Sequence, residues 1–142
     1  MVEIIPVPPS LVPTVWGDAL QYLREPIGMS QGCYEPEDVF RFCCSADMGL
    51  WLAVEGEEVL AAYVVEIVNY PRKRRVRATF AGGKPHSMAQ WLEPMVNAIE
   101  DWSKHMGCQG IEAMGRKGWT KVVDGKEIGT YICRDYPAME MH

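Results

Sequence analysis

No run of residues in this sequence approaches the ~20 consecutive apolar positions of a bilayer-spanning helix, so a membrane span is excluded. The N-terminal stretch, Met1-Val2-Glu3-Ile4-Ile5-Pro6-Val7-Pro8-Pro9, has no basic leader and is broken by prolines, so no secretory signal peptide is expected there. The five cysteines (Cys33, Cys43, Cys44, Cys108 and Cys133) form no Cys-x-x-Cys pair, and their number is odd. A disulfide scaffold is thereby excluded, and reduced thiols in a cytoplasmic setting are expected. Histidine is scarce, with only His86, His105 and His142. No Ser-His-Asp or Cys-His arrangement stands out, which leaves nucleophilic hydrolysis without support. His105 and Cys108 have a ligand-like spacing, but no second pair accompanies them, so zinc is not expected. Cys108 reads instead as a small buried apolar residue and His105 as a solvated helix end. Internal repeats and low-complexity segments are also lacking.

What is present suits a compact domain. The chain has 142 residues, 48% of them apolar and 10% aromatic, with five Trp. That is one domain's worth of polypeptide, expected to span residues 1–142, with enough large side chains to fill a core. Charge is divided unevenly. Residues 1–70 hold eleven acidic residues against only Arg24 and Arg41, a net −9. Residues 71–142 hold twelve basic and eight acidic residues, a net +4, and the two halves return the −5 of the whole chain. An anion-binding function would belong to the second half; a dipolar surface without a ligand is the alternative.

Periodicity supplies the elements. Residues 3–7 read as an edge strand, because Pro6 forbids a central one. Val12, Val15, Trp16, Ala19, Leu20 and Leu23 recur at helical spacing, and Pro26 predicts an end near Glu25. A second helix is expected to start at Glu35-Pro36-Glu37-Asp38, where proline and carboxylates suit a first turn, and to stop at Gly49. Leu50–Val54 and Val59–Val68 read as a hairpin around Glu55-Gly56-Glu57-Glu58, followed by a third strand over Val76–Ala81. Met88, Trp91, Leu92, Met95, Val96, Ile99 and Trp102 form the apolar stripe of the best helix, capped by Ser87 and ended by Gly107. Pro94 predicts a kink there, or a later start. A short strand over 108–114, a short helix over 118–123 and a closing strand over 128–133 complete the order (β)ααβββαβαβ, a mixed α/β (α+β) domain.

This order resembles the GNAT (Gcn5-related N-acetyltransferase) fold over residues 3–136. The most telling part is Gly107-Cys108-Gln109-Gly110-Ile111-Glu112-Ala113-Met114, with Gly125 and Tyr131-Ile132-Cys133 following. Between them, Gly115-Arg116-Lys117-Gly118-Trp119 is similar to a segment of small GNAT-like proteins encoded in tailed-phage genomes, some of which are virion or morphogenesis proteins. The resemblance implies acetyl-CoA as cofactor, its pyrophosphate wrapped by consecutive backbone N–H groups ahead of the long helix. Here that place reads Phe80-Ala81-Gly82-Gly83-Lys84-Pro85-His86-Ser87-Met88. Gly82 and Gly83 allow close backbone approach, Lys84 offers charge and Ser87 a hydroxyl, so these four are the cofactor-binding candidates. Pro85 removes one N–H and the glycine spacing departs from the family pattern. A glycine turn followed by an ordinary cap is the alternative.

Acetyl transfer by the implied route needs a base for the acceptor amine and an acid for the departing thiolate. Glu66 and Glu112, each flanked by apolar strand residues, are the base candidates, unless alternation simply turns them to solvent. The acid in the family is often a tyrosine near the last short helix. That helix contains none here, which leaves Tyr131, in the closing strand, where packing is the competing role. Arg72, Lys73, Arg74, Arg75 and Arg77 crowd five bases into six residues. They make either a solvated hairpin tip that discourages edge pairing or a contact for phosphate, in nucleic acid or in the CoA 3′-phosphate. Two functions follow from the resemblance: an N-acetyltransferase with a divergent pyrophosphate loop, or a GNAT-shaped protein without catalysis. The second would bind a phage structural component, in the host cytoplasm or the virion. The altered loop and the displaced tyrosine favour it.

Overall fold

In the computed structural model, residues 1–113, 126 and 133–137 are described. Strand β1 (Val2–Val7) leads through a 3-10 turn (Pro9–Leu11) into helices α1 (Val12–Gly28) and α2 (Pro36–Cys44). Strands β2 (Gly49–Glu55), β3 (Glu58–Asn69) and β4 (Arg74–Gly83) follow, then helix α3 (Met88–His105) and strand β5 (Gly110–Ala113). The strands lie side by side in chain order, with every pairing antiparallel except the parallel β4–β5. As Pro6 requires, β1 sits at the sheet edge, paired only with β2.

Both faces of the sheet are covered, which is why the run from Leu60 to Val65 is buried at every position. On one face, Val12, Ala19, Leu23 and Ile27 of α1 and Val39 and Cys43 of α2 pack on Leu50, Leu52, Ala62, Val64 and Phe80. On the other, Trp91, Leu92, Met95 and Ile99 of α3 pack on Trp51, Ala53, Ala61, Tyr63, Val65 and Val76. No helix among the described residues is long and apolar enough to cross a membrane.

Three expected boundaries move. Helix α1 does not stop before Pro26 but continues to Gly28. A proline inside a helix leaves the carbonyl four residues earlier without its donor, here that of Tyr22. Helix α2 ends at Cys44 rather than Gly49; the chain turns at Ala46, which takes a left-handed φ of 68°, and Gly49 opens β2. Gly82 and Gly83 lie within β4, opposite Ala62 and Ala61 of β3, and not in the bend read from the sequence. Helix α3 runs without interruption from Met88 past Pro94, so the later start is not taken. The short helix expected over 118–123 and most of the strand expected over 128–133 lie outside the described residues.

Candidate functional site

Strand β4 is the element around which the site is arranged. Its parallel pairing with β5 runs only from Arg75 opposite Gly110 to Ala78 opposite Ala113. Directly after it the register with β3 shifts: Ala78 faces Val65 and Phe80 faces Val64, so Thr79 is an extra, bulged residue. Beyond this bulge Thr79–Gly83 has no partner on its β5 side among the described residues. This unpaired length of β4 leads directly into the turn before α3.

At the end of β4 and in that turn, the groups expected to hold a pyrophosphate are engaged by the protein itself. A Cβ placed at Gly82 would fall 2.0 Å from the Tyr22 carbonyl oxygen. This is the carbonyl that Pro26 leaves without a helical donor, and only glycine lets the sheet approach it so closely. On the opposite face, a Cβ at Gly83 would fall 2.5 Å from the Trp91 ring and 3.0 Å from the Leu60 carbonyl oxygen. The Lys84 N–H donates to Leu60 O at 2.7 Å, and its ammonium pairs with Glu58 Oε1 at 2.5 Å. Ser87 is buried, its hydroxyl donating to Lys84 O at 2.6 Å and accepting the Trp91 indole N–H at 2.7 Å. That corrects its reading as a side-chain cap of α3: the hydroxyl is committed to Trp91.

The two carboxylate candidates are brought together by a residue that the sequence reading treated only as part of a basic run. Arg77 donates from Nε to Glu112 Oε2 at 3.1 Å and reaches Glu66 Oε1 from Nη1 at 3.5 Å. Glu66 Oε1 also accepts the hydroxyl of Thr79, the bulged residue, at 3.1 Å. The Tyr70 hydroxyl contacts both Glu112 oxygens, at 2.8 and 2.9 Å, and Arg75 Nη1 lies 3.8 Å from Glu112 Oε1. Burial alone would raise the Glu112 carboxyl. The hydrogen bonds from Tyr70 and Arg77, with the charges of Arg77 and Arg75, outweigh it and hold the group below its ordinary value. Glu112 is therefore a committed carboxylate and a poor proton acceptor. Cross-strand pairing of Glu66 with Arg77 was the signal available in the sequence: opposite charges on facing strands neutralise each other. Tyr131 lies outside the described residues.

Of the five clustered bases, Arg75 and Arg77 are thus spent on Glu112 and Glu66, whereas Arg72, Lys73 and Arg74 have no carboxylate partner among the described residues. Among the same residues no group of three or more His, Cys, Asp or Glu is placed to hold a metal ion. Cys108 is buried and His105 exposed.

Solved structures share this arrangement. A predicted acetyltransferase of Clostridium acetobutylicum, solved with acetyl-CoA, superposes with a TM-score of 0.68 over 95% of this chain and 96% of its own, at 12% identity. A GNAT family acetyltransferase of Staphylococcus aureus superposes with a TM-score of 0.59 over 92% of this chain and 98% of its own, at 12% identity. The chain has the GNAT fold. An aminoglycoside 6'-N-acetyltransferase of Acinetobacter baumannii matches similarly, with a TM-score of 0.68 over 97% and 99% of the two chains at 11% identity. No protein-family model and no curated protein matches the sequence. Identities this low speak for the fold alone, because one fold carries many functions.

The GNAT fold accommodates acetyl-CoA in the Clostridium protein. In this chain the four residues expected to hold its pyrophosphate do not fit it. Gly82 and Gly83 are packed against Tyr22 and Trp91, Lys84 and Ser87 are occupied, and Pro85 has no N–H. Of the amides in that stretch, those of Lys84 and Ser87 already donate within the protein, to Leu60 O and Lys84 O.

Proposed function

We propose that this protein is a GNAT-shaped interaction component that does not transfer acetyl groups. What supports this reading is the closed turn ahead of α3, where the protein's own carbonyl, indole and carboxylate take the places an anionic cofactor needs. The class of partner follows from the Gly115-Arg116-Lys117-Gly118-Trp119 resemblance: a structural component of a phage or prophage, met in the host cytoplasm or in the virion. Thermal unfolding with acetyl-CoA tests the reading. A ligand at 100 times its dissociation constant adds ~2.7 kcal/mol, which for a chain of this size raises Tm by roughly 5–10 °C. The expected result is no shift; a shift of that size overturns the proposal. Co-expression with the neighbouring genes tests the partner, and recovery of the free protein alone counts against it.

One observation favours a second reading, an N-acetyltransferase with a divergent cofactor seat. The edge of β4 after the Thr79 bulge is unpaired among the described residues, and Glu66 stands beside that bulge. In that reading Glu66, held by Arg77 and Thr79, and not Glu112, held by two arginines and Tyr70, accepts the acceptor's proton. A Glu66→Gln variant that loses transfer while keeping its thermal response to acetyl-CoA would establish it.

A further inference from the structure

The β3–β4 connection and the start of β4 carry positive charge that no carboxylate among the described residues neutralises. The turn is held firmly: Tyr70 N–H donates to Lys73 O at 2.8 Å, closing it around Pro71 and Arg72. Its base is clamped to the α3–β5 connection, Arg74 N–H donating to Gln109 Oε1 at 2.7 Å and Gln109 N–H to Arg74 O at 2.8 Å. From this clamp Arg72 and Lys73 stand exposed. Arg74 follows them, its Nε enclosed without a hydrogen-bond partner. No carboxylate neutralises these three cations among the described residues, in contrast to Arg75 and Arg77 one strand-turn away.

Cations crowded on a rigid tip repel one another, and an arriving polyanion relieves that repulsion while releasing its own counterions. A single-stranded ligand would also need exposed rings on which its bases could stack. The aromatics flanking the cluster do not supply a row of them: Phe80 is buried in the core, and the exposed Tyr70 is a single ring, with its hydroxyl held by Glu112 and the Arg75 guanidinium 5.9 Å over it. Without a stacking platform, and with donors carried on a turn rather than on an element that enters a groove, the contact favoured is to phosphate.

We propose that the β3–β4 tip, through Arg72, Lys73 and Arg74, docks on the phosphate backbone of duplex nucleic acid without regard to its sequence. This does not depend on whether the chain binds acetyl-CoA. The net charge of −5 over the whole chain keeps the contact weak.

The test is fluorescence anisotropy of the full chain against a labelled duplex DNA of arbitrary sequence, over a salt series. Three phosphate contacts give a log–log slope of roughly −3, so affinity falls by well over tenfold between about 50 and 200 mM salt. The double variant Arg72→Glu/Lys73→Glu should lose at least tenfold in affinity and flatten the slope. Both side chains are exposed, so the fold is not at risk. Arg24→Glu, on the exposed side of α1, should change neither. Two DNAs of unrelated sequence should bind alike. Absence of binding at low salt, or retention of binding by the double variant, overturns the proposal. So does binding to vesicles containing phosphatidylserine with none to the duplex, which would make the tip a membrane contact.

Discussion

Replacing Gly82 with Ala tests whether the diglycine is packing or cradle. The added Cβ would lie 2.0 Å from the Tyr22 carbonyl oxygen and 3.0 Å from its carbon, both backbone atoms of α1. No rotamer change relieves such a contact, so helix and sheet must separate by about an ångström along a face whose core residues include Leu23, Ile27 and Phe80. Overpacking of this kind costs ~3 kcal/mol, the upper end of the usual range, because the obstacle is main chain. For a chain of this size the loss lowers Tm by roughly 6–12 °C. Gly17 provides the opposite case within the same helix: it is exposed, and a Cβ there meets nothing within 4 Å. Gly17→Ala should therefore stabilise by about 1 kcal/mol through helix propensity alone. Urea unfolding followed by tryptophan fluorescence measures both. A Gly82→Ala variant within ~1 kcal/mol of the parent would refute the packing role and return the diglycine to ligand binding.

Other outcomes follow from the same structure. Glu112→Gln removes a carboxylate whose folded-state value lies below its ordinary 4.5. The stability it contributes, about 1 kcal/mol after allowance for solvent screening, is fully present above that value and lost as pH falls through the lower folded value. The parent and variant unfolding curves should differ at pH 7 and converge in acid; a gap that persists at low pH contradicts the network. Thiol alkylation should rank by exposure and acidity. Cys33 is exposed, the exposed Cys133 is slowed because Asp135 raises its thiol, and buried Cys43 is pushed up to about 12 by burial. Mass spectrometry of briefly iodoacetamide-treated native protein should find Cys33 labelled first and Cys43 untouched; early labelling of Cys43 would contradict the core assignment.

Much of the architecture could be read locally. The stripe from Met88 to Trp102 specified α3 because its period matches a helix laid on one sheet face. Pro6 placed β1 at an edge, and Gly56, at φ +62°, sits in the connection between β2 and β3, inside the turn expected over Glu55-Gly56-Glu57-Glu58 and tightened to two residues. What misled were the punctuating residues, because their meaning here is tertiary. Pro26 does not end α1: the carbonyl it deprives of a donor, that of Tyr22, lies against Gly82, 60 positions further along the chain. Gly82 and Gly83 resemble a bend by composition, but they are the two places where Tyr22 and Trp91 press on the sheet from opposite sides. The site was legible to the same degree. Glu66 and Glu112 do converge, yet Arg77 between them and the Thr79 bulge follow from strand register, which a linear reading does not supply.

The central claim, that the protein itself fills the pyrophosphate seat of its fold, is tested most directly by a crystal structure grown with saturating acetyl-CoA. The account predicts an empty turn, with Gly82 still against the Tyr22 carbonyl, Gly83 against the Trp91 ring and Lys84 paired with Glu58. An ordered coenzyme whose pyrophosphate is held by main-chain amides of residues 82–88 would contradict it.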